Sequence, residues 1–105
     1  MNRRKVIIDC DPGIDDAVML CLAAAFQEQL EILAVTTVAG NQTIEKVSEN
    51  ARKVIDFLNL KVPVAVGMET HLLNPVRVAE KAHGEDGLGS VSLPPAVSEF
   101  EKEHA

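Results

Sequence analysis

Four aspartates, Asp9, Asp11, Asp15 and Asp16, fall in the stretch IIDCDPGIDD, directly after an apolar run. Carboxylates at that density repel one another unless something positive sits between them. A hard divalent cation is the natural counter-charge. Ca2+ takes many carboxylate and carbonyl oxygens, whereas Mg2+ asks for fewer ligands in stricter geometry. A single Asp of this set is well explained as dressing for a helix N-terminus, but capping uses one side chain or two, and the whole cluster exceeds that need.

The elements that must position these groups alternate along the chain. Lys5 to Cys10 is β-branched and apolar, a candidate buried strand. After the Asp-Pro-Gly corner, Ala17 to Phe26 is an unbroken apolar run rich in Ala, which predicts a helix buried on most sides. Asp15 and Asp16 then occupy its first turn, where carboxylates suit the positive end of the helix dipole. Residues 30 to 39, LEILAVTTVA, form a second buried strand broken by Gly40 and Asn41. Ile44, Val47, Ala51, Val54, Ile55 and Leu58 share the spacing of one helical face, and Pro63 to Val66 is a short third strand. Strand and helix in this alternation imply right-handed crossovers and a parallel sheet: an α/β, Rossmann-like architecture.

In such a sheet, ligands bind at the carboxyl ends of the strands. The first strand delivers Asp9 and Asp11 there, the following helix Asp15 and Asp16, and the second strand Asn41. Beyond Gly67 the pattern weakens. HGEDGLG, residues 83 to 89, is a loop, and AVSEFEKEHA, from Ala96, reads as the start of a helix. Three parallel strands leave an edge and part of a face uncovered, although parallel sheets are normally buried on both sides. The sequence therefore reads as the N-terminal part of a larger fold.

Composition bounds the partners. With 105 residues the chain is one domain at most, and 47% hydrophobic with 25% charged residues suits a globular chain. A formal charge of −6 argues against nucleic acid or an anionic membrane as a generic partner. Three Phe without Trp or Tyr argue against base-stacking platforms. Cys10 and Cys21 lack metal-ligand spacing and read as reduced, buried thiols of a cytoplasmic protein. The apolar run near the start is too short for a signal peptide, and no segment approaches membrane-spanning length.

Other cation and phosphate patterns fit less well. An EF-hand loop counted from Asp9 needs Asp or Asn, Gly and Glu where the chain has Gly13, Ile14 and Leu20. A strand followed by DCD resembles the aspartate-nucleophile phosphatases, whose motif continues with Thr or Val where this chain has Gly13. Neither GxGxxG nor a Walker lysine is present.

DCDPGIDDA after a short apolar strand resembles the N-terminal signature of the inosine/uridine-preferring nucleoside hydrolases. TTVAGNQT and HGEDGLG resemble that family's next two segments, in order, so the resemblance covers essentially the whole chain. It implies hydrolysis of the N-glycosidic bond of ribonucleosides, purine or pyrimidine, to ribose and free base around a held Ca2+. It implies Asp11 as Ca2+ ligand and general base, Asp16 as a second, bidentate ligand, and Asp15 on the ribose hydroxyls. Asp9 would support the site from behind, Asn41 would lie beside the sugar, and His83 would line the base pocket. Oxocarbenium-like glycoside cleavage makes independent sense of clustered carboxylates, which stabilise developing positive charge.

The resemblance also implies that family members are much longer. The remainder would hold another Ca2+-ligating Asp, a main-chain carbonyl ligand, further ribose contacts and a His that protonates the leaving base. Residues 1–105 are then the N-terminal segment of a single nucleoside hydrolase domain, truncated and inactive alone, its complete form a cytoplasmic homo-oligomer (dimer or tetramer). The competing reading is a short non-catalytic relative that binds a partner through its exposed sheet edge.

Overall fold

β-Branched Val6, Ile7 and Ile8 favour extended backbone, and strand β1 runs through them from Arg4–Cys10. Pro12 and Gly13 end it. The computed structural model describes residues 2–70, 72–73, 85–89 and 92–105. Helix α1 follows over Ile14–Ala25 with Asp15 and Asp16 in its first turn, and strand β2 spans Leu30–Thr37. The ladder extends slightly past β2, since the Val38 N–H donates to the Cys10 carbonyl at 3.1 Å.

Helix α2, Ile44–Phe57, opens on Thr43, whose hydroxyl accepts the Lys46 N–H at 3.4 Å. Its end is closed by a left-handed residue, Asn59, at φ 54°. The Leu60 N–H returns to the Ile55 carbonyl and the Asn59 N–H to the Asp56 carbonyl, both at 3.0 Å. This is the paired arrangement that satisfies the last carbonyls of a helix, and it buries Leu60 in the core. Strand β3 is Val64–Val66.

All pairings are parallel, in the order β1-β2-β3. Two right-handed crossovers stepping in one direction place both helices on one face of the sheet. That face forms the core: Cys10, Val35 and Val64 from the strands, Leu20 from α1, and Ala51, Val54 and Ile55 from α2. Thr37 and Ser48 are buried beneath it and satisfy each other, hydroxyl to hydroxyl, at 2.7 Å. On the alternate side of β1, Ile7 remains 63% exposed.

The structure departs from sequence expectation in three places. Helix α1 is not buried on most sides. Only Leu20 and Ala23 are buried, while Ile14, Val18, Leu22 and Phe26, spaced four apart, form an exposed apolar stripe. An all-apolar helix carries no polar face to mark its outward side. Cys21 sits on that exposed side, so only Cys10 is a buried thiol.

Nor does a helix start at Ala96. The described residues 92–105 contain no helix. The segment instead runs beside β3, with the Glu101 N–H on the Val64 carbonyl at 2.8 Å and the Ala105 N–H on the Val66 carbonyl at 3.1 Å. Unpaired carbonyls on a sheet edge demand donors, and the acidic run offers too few apolar side chains to anchor a helix. The Val97 and Ser98 N–H groups are held by the Asp56 carboxylate, and Phe100 lies under the Arg52 guanidinium at 4.5 Å.

Leu20→Ala should destabilise the chain by about 2–5 kcal/mol in urea unfolding. Leu22→Ala, two positions away but 59% exposed, should cost about 0.5 kcal/mol or less. Because a continuous apolar stripe promotes association, the wild type should sediment heavier than a monomer at micromolar concentration. Val18→Lys combined with Leu22→Lys should restore a monomer. A monodisperse wild-type monomer would contradict the assignment of the stripe as an association surface.

Candidate functional site

The parallel register places Cys10 opposite Thr37, so the chain leaves β1 and β2 at neighbouring points on the carboxyl edge of the sheet. Asp11 leaves β1 there, and Gly40-Asn41 follows β2. The two segments clasp. Asp11 Oδ2 accepts the Asn41 N–H at 2.9 Å, and Asn41 Nδ2 donates back to the Asp11 carbonyl at 2.8 Å. Gly40 is what permits this approach, since a Cβ there would collide with Asp11 Oδ2.

The third tie comes from α1. Asp16 Oδ2 accepts the Asp11 N–H at 2.9 Å. Burial, contact with the Asp11 carboxyl, and repulsion from the Asp11 and Asp15 charges push the Asp16 carboxyl above its ordinary value. These outweigh the lowering by the Asp11 N–H. The same negative cluster acts on Cys10. Burial first, then the charges of Asp16, Asp9 and Asp11, push its thiol up to about 12. Cys10 is thus a packing residue and not a nucleophile.

The expected convergence of five side chains is therefore narrower in the structure. Asp11, Asp16 and Asn41 meet directly. Asp15 lies exposed on the first turn of α1, close enough to act on Asp16 through its charge. Asp9 is exposed, its Oδ1 accepting the Thr36 hydroxyl at 2.7 Å. Among the described residues, no group of three or more His, Cys, Asp or Glu side chains is placed to hold a metal ion. His83 lies outside the described residues.

The donor chemistry still suits a hard cation. Two facing carboxylates, one of them held above its ordinary pKa by burial and then by the other, are the arrangement a divalent ion relieves. Asp11 and Asp16 are the residues that could hold it.

Sequence reasoning missed two residues beside this corner. Asn50 is 4% exposed and Gln42 is 1% exposed. Asn50 Nδ2 donates to the Pro12 carbonyl at 3.2 Å and to the Asp86 carbonyl at 2.6 Å, and Gln42 Nε2 donates to the Glu85 carbonyl at 2.8 Å. The available signal was spacing: Asn50 lies three residues after Val47 and four before Val54, on the buried face of α2.

The raised Asp16 carboxyl has a pH consequence. The folded chain binds this proton more tightly than the unfolded chain, whose ordinary value is 3.8. Between those two values the folded state carries more protons, so stability rises as pH falls through the folded value and levels off below the unfolded one. In metal-free buffer, wild type should therefore gain stability relative to Asp16→Asn as pH is lowered from neutral. Urea titrations at stepped pH would show it, and a difference independent of pH would contradict the strained carboxyl pair.

Comparison with known proteins places this geometry. Residues 6–105 match the family model for inosine-uridine preferring nucleoside hydrolase. The inosine-uridine preferring nucleoside hydrolase of Leishmania major is 55% identical over 93 residues, which is 88% of this chain and 29% of that protein. The pyrimidine-specific ribonucleoside hydrolase RihB of Escherichia coli is 40% identical over 105 residues, 100% of this chain and 33% of that protein.

Among solved structures, the purine-preferring ribonucleoside hydrolase from Gardnerella vaginalis superposes with a TM-score of 0.89 at 29% identity. That match covers 97% of this chain and 34% of that one. An inosine-guanosine nucleoside hydrolase gives a TM-score of 0.85 at 34% identity, over 98% of this chain and 32% of that one. The chain thus spans about a third of the length of the relatives it matches. Sequence match and superposition agree across nearly its whole length: the chain belongs to the inosine-uridine preferring nucleoside hydrolase family.

Proposed function

We propose that this chain supplies the metal and ribose end of a nucleoside hydrolase site, for Ca2+-dependent cleavage of ribonucleosides to ribose and free base. Residues 1–105 form the N-terminal segment of a single hydrolase domain. The observation that carries the reading is the clasp of Asp11, Asn41 and Asp16 at the carboxyl edge of a parallel sheet. Asp11 and Asp16 hold the ion; Asp15, exposed beside them, takes the ribose hydroxyls, and Asn41 flanks the sugar. Asp9 supports the site from the strand behind, and His83 lines the base pocket.

Bound there, Ca2+ supplies positive charge that orients water and the ribose diol and acidifies the water. Asp11 accepts the proton of the attacking water. Its position suits this role because its main chain is fixed at both the N–H and the C=O, and the Asn41 N–H orients its carboxylate through Oδ2. The water oxygen bonds to the anomeric carbon, the glycosidic electron pair departs with the base, and the base takes up a proton equal in net to the one Asp11 removed from the water. Negative charge from Asp15 and Asp16 stabilises the oxocarbenium-like sugar meanwhile.

The reading carries with it nucleoside catabolism, including purine salvage, in the cytoplasm. Two free cysteines suit that compartment, and among the described residues no helix is long and apolar enough to cross a membrane. The exposed stripe of α1 suits burial in a homo-oligomer, dimer or tetramer, or against further chain.

Calorimetric titration of the chain should show weak Ca2+ binding, at millimolar concentrations, that Asp11→Asn or Asp16→Asn removes. No heat from a chain shown folded by circular dichroism would refute the carboxylate pair as a metal seat. Activity is testable in a chimera that places residues 1–105 at the head of the Crithidia fasciculata relative, 47% identical over 92 residues. Asp11→Asn in that chimera should lower ribose release from inosine or uridine by at least about 10²–10⁴-fold. Near-normal turnover would refute the general-base role.

A further inference from the structure

One amide nitrogen joins two parts of the chain that are distant in sequence. Asn50 Nδ2 carries two protons, and each has its own carbonyl: Pro12 at 3.2 Å and Asp86 at 2.6 Å. Pro12 is the residue after Asp11, so its carbonyl moves with the catalytic corner. Asp86 belongs to the glycine-rich loop, of which residues 85–89 are described. Asn50 is 4% exposed and Pro12 is buried beside it, so the Pro12 carbonyl would be left unpaired on losing this donor.

A second, independent feature shows how closely the loop is drawn in. Gly87 has φ 87°, and a Cβ added to it would stand 2.8 Å from Asn50 Nδ2 and 3.5 Å from the Pro12 carbonyl oxygen. Neither the backbone angle nor the space admits a side chain. Neighbouring donors act on the same loop: Gln42 Nε2 and Lys46 Nζ both reach the Glu85 carbonyl at 2.8 Å. Asn50 also holds the Asp11 corner, through the Pro12 carbonyl.

We propose that Asn50 is a positioning residue of the nucleoside site, setting the spacing between the Asp11 corner and the loop 85–89 by donating to both from one nitrogen. The proposal rests on the reading of the Asp11 corner as the metal and ribose end of that site. The chemical requirement is narrow. A carboxylate has no proton to give and would face two carbonyl oxygens, and a hydroxyl could serve only one of them. The nearly isosteric Asn50→Asp therefore removes the function while keeping the volume. Ser48→Ala is the control, since Ser48 is also buried on α2 but its hydroxyl pairs with the Thr37 hydroxyl.

Amide exchange and 1H–15N shifts of the chain, with Ca2+ as the probe, test this. In wild type both side-chain amide protons of Asn50 should exchange slowly, and Ca2+ should shift Gly87 and Leu88 as well as Asp16 and Asn41. In Asn50→Asp, Gly87 and Leu88 should exchange about tenfold faster or more. Their response to Ca2+ should vanish while that of Asp16 and Asn41 persists, and Ser48→Ala should keep the wild-type coupling. Gly87 and Leu88 behaving in Asn50→Asp as in wild type, or no differently from Ser48→Ala, would overturn the proposal. If Ca2+ moves neither Asp16 nor Asn41 in wild type, the metal reading fails by itself, and the exchange rates alone decide the role of Asn50. Should Asn50→Asp not fold, Gly87→Ala displaces the loop from the opposite side with Asn50 intact. It must then abolish the Ca2+ response of Leu88, and retention of that response would overturn the proposal.

Discussion

Asp11 Oδ2 accepts the Asn41 N–H at 2.9 Å, and much of the carboxyl edge of the sheet is shaped so that this contact can form. The parallel register of β1 and β2 brings the two strand ends level. Gly40 lacks the Cβ that would occupy the carboxylate's place. Asp16, in the first turn of α1, draws the Asp11 N–H toward the helix. Each device lowers the freedom of one carboxylate at the expense of crowding it against another. Burial, and then this crowding, hold the Asp16 carboxyl above its ordinary value. A structure serving stability alone would not gather like charges in this way, and perturbed carboxyls of this kind concentrate at functional sites.

The rest of the fold supplies the platform for that contact. The core beneath the helices fixes β1 and β2 side by side. The buried Thr37–Ser48 hydroxyl pair ties the end of β2 to α2, within a turn of Asn50. Asn50 and Gln42 then extend the hold from α2 outward to the glycine-rich loop. The site is thus braced from the strand ends, the α1 start and the α2 flank together. That is the arrangement a reaction needs when positioning and electrostatics supply most of the rate.

Much of this was legible in the sequence, for identifiable reasons. The strand–helix order and the boundaries of β1, α2 and β3 follow from β-branched runs and from the helical spacing of Ile44 through Leu58. The family signature lies in contiguous segments, so it survives without any three-dimensional information. What was misread depended on tertiary partners. The α1 run is apolar all round, and nothing in it distinguishes Leu20, buried, from Leu22, exposed. The acidic tail has the Ala, Glu and Lys content of a helix, but the open carbonyls of β3 claim its N–H groups. Asn50 and Gln42 bond residues about forty positions away in sequence, a relation no local pattern encodes. The narrowing of the aspartate cluster has a similar origin, since Thr36, across the strand pair, takes Asp9.

The central claim is that the Asp11–Asp16 pair is built to receive a divalent cation. The carboxyl carbon of Asp16, followed by NMR as a function of pH with and without Ca2+, tests it most directly. The account predicts a midpoint above the ordinary 3.8 in metal-free buffer and a marked fall below that raised value when Ca2+ is present, because the ion favours the ionised pair. An Asp16 midpoint that is raised but indifferent to Ca2+ would contradict it.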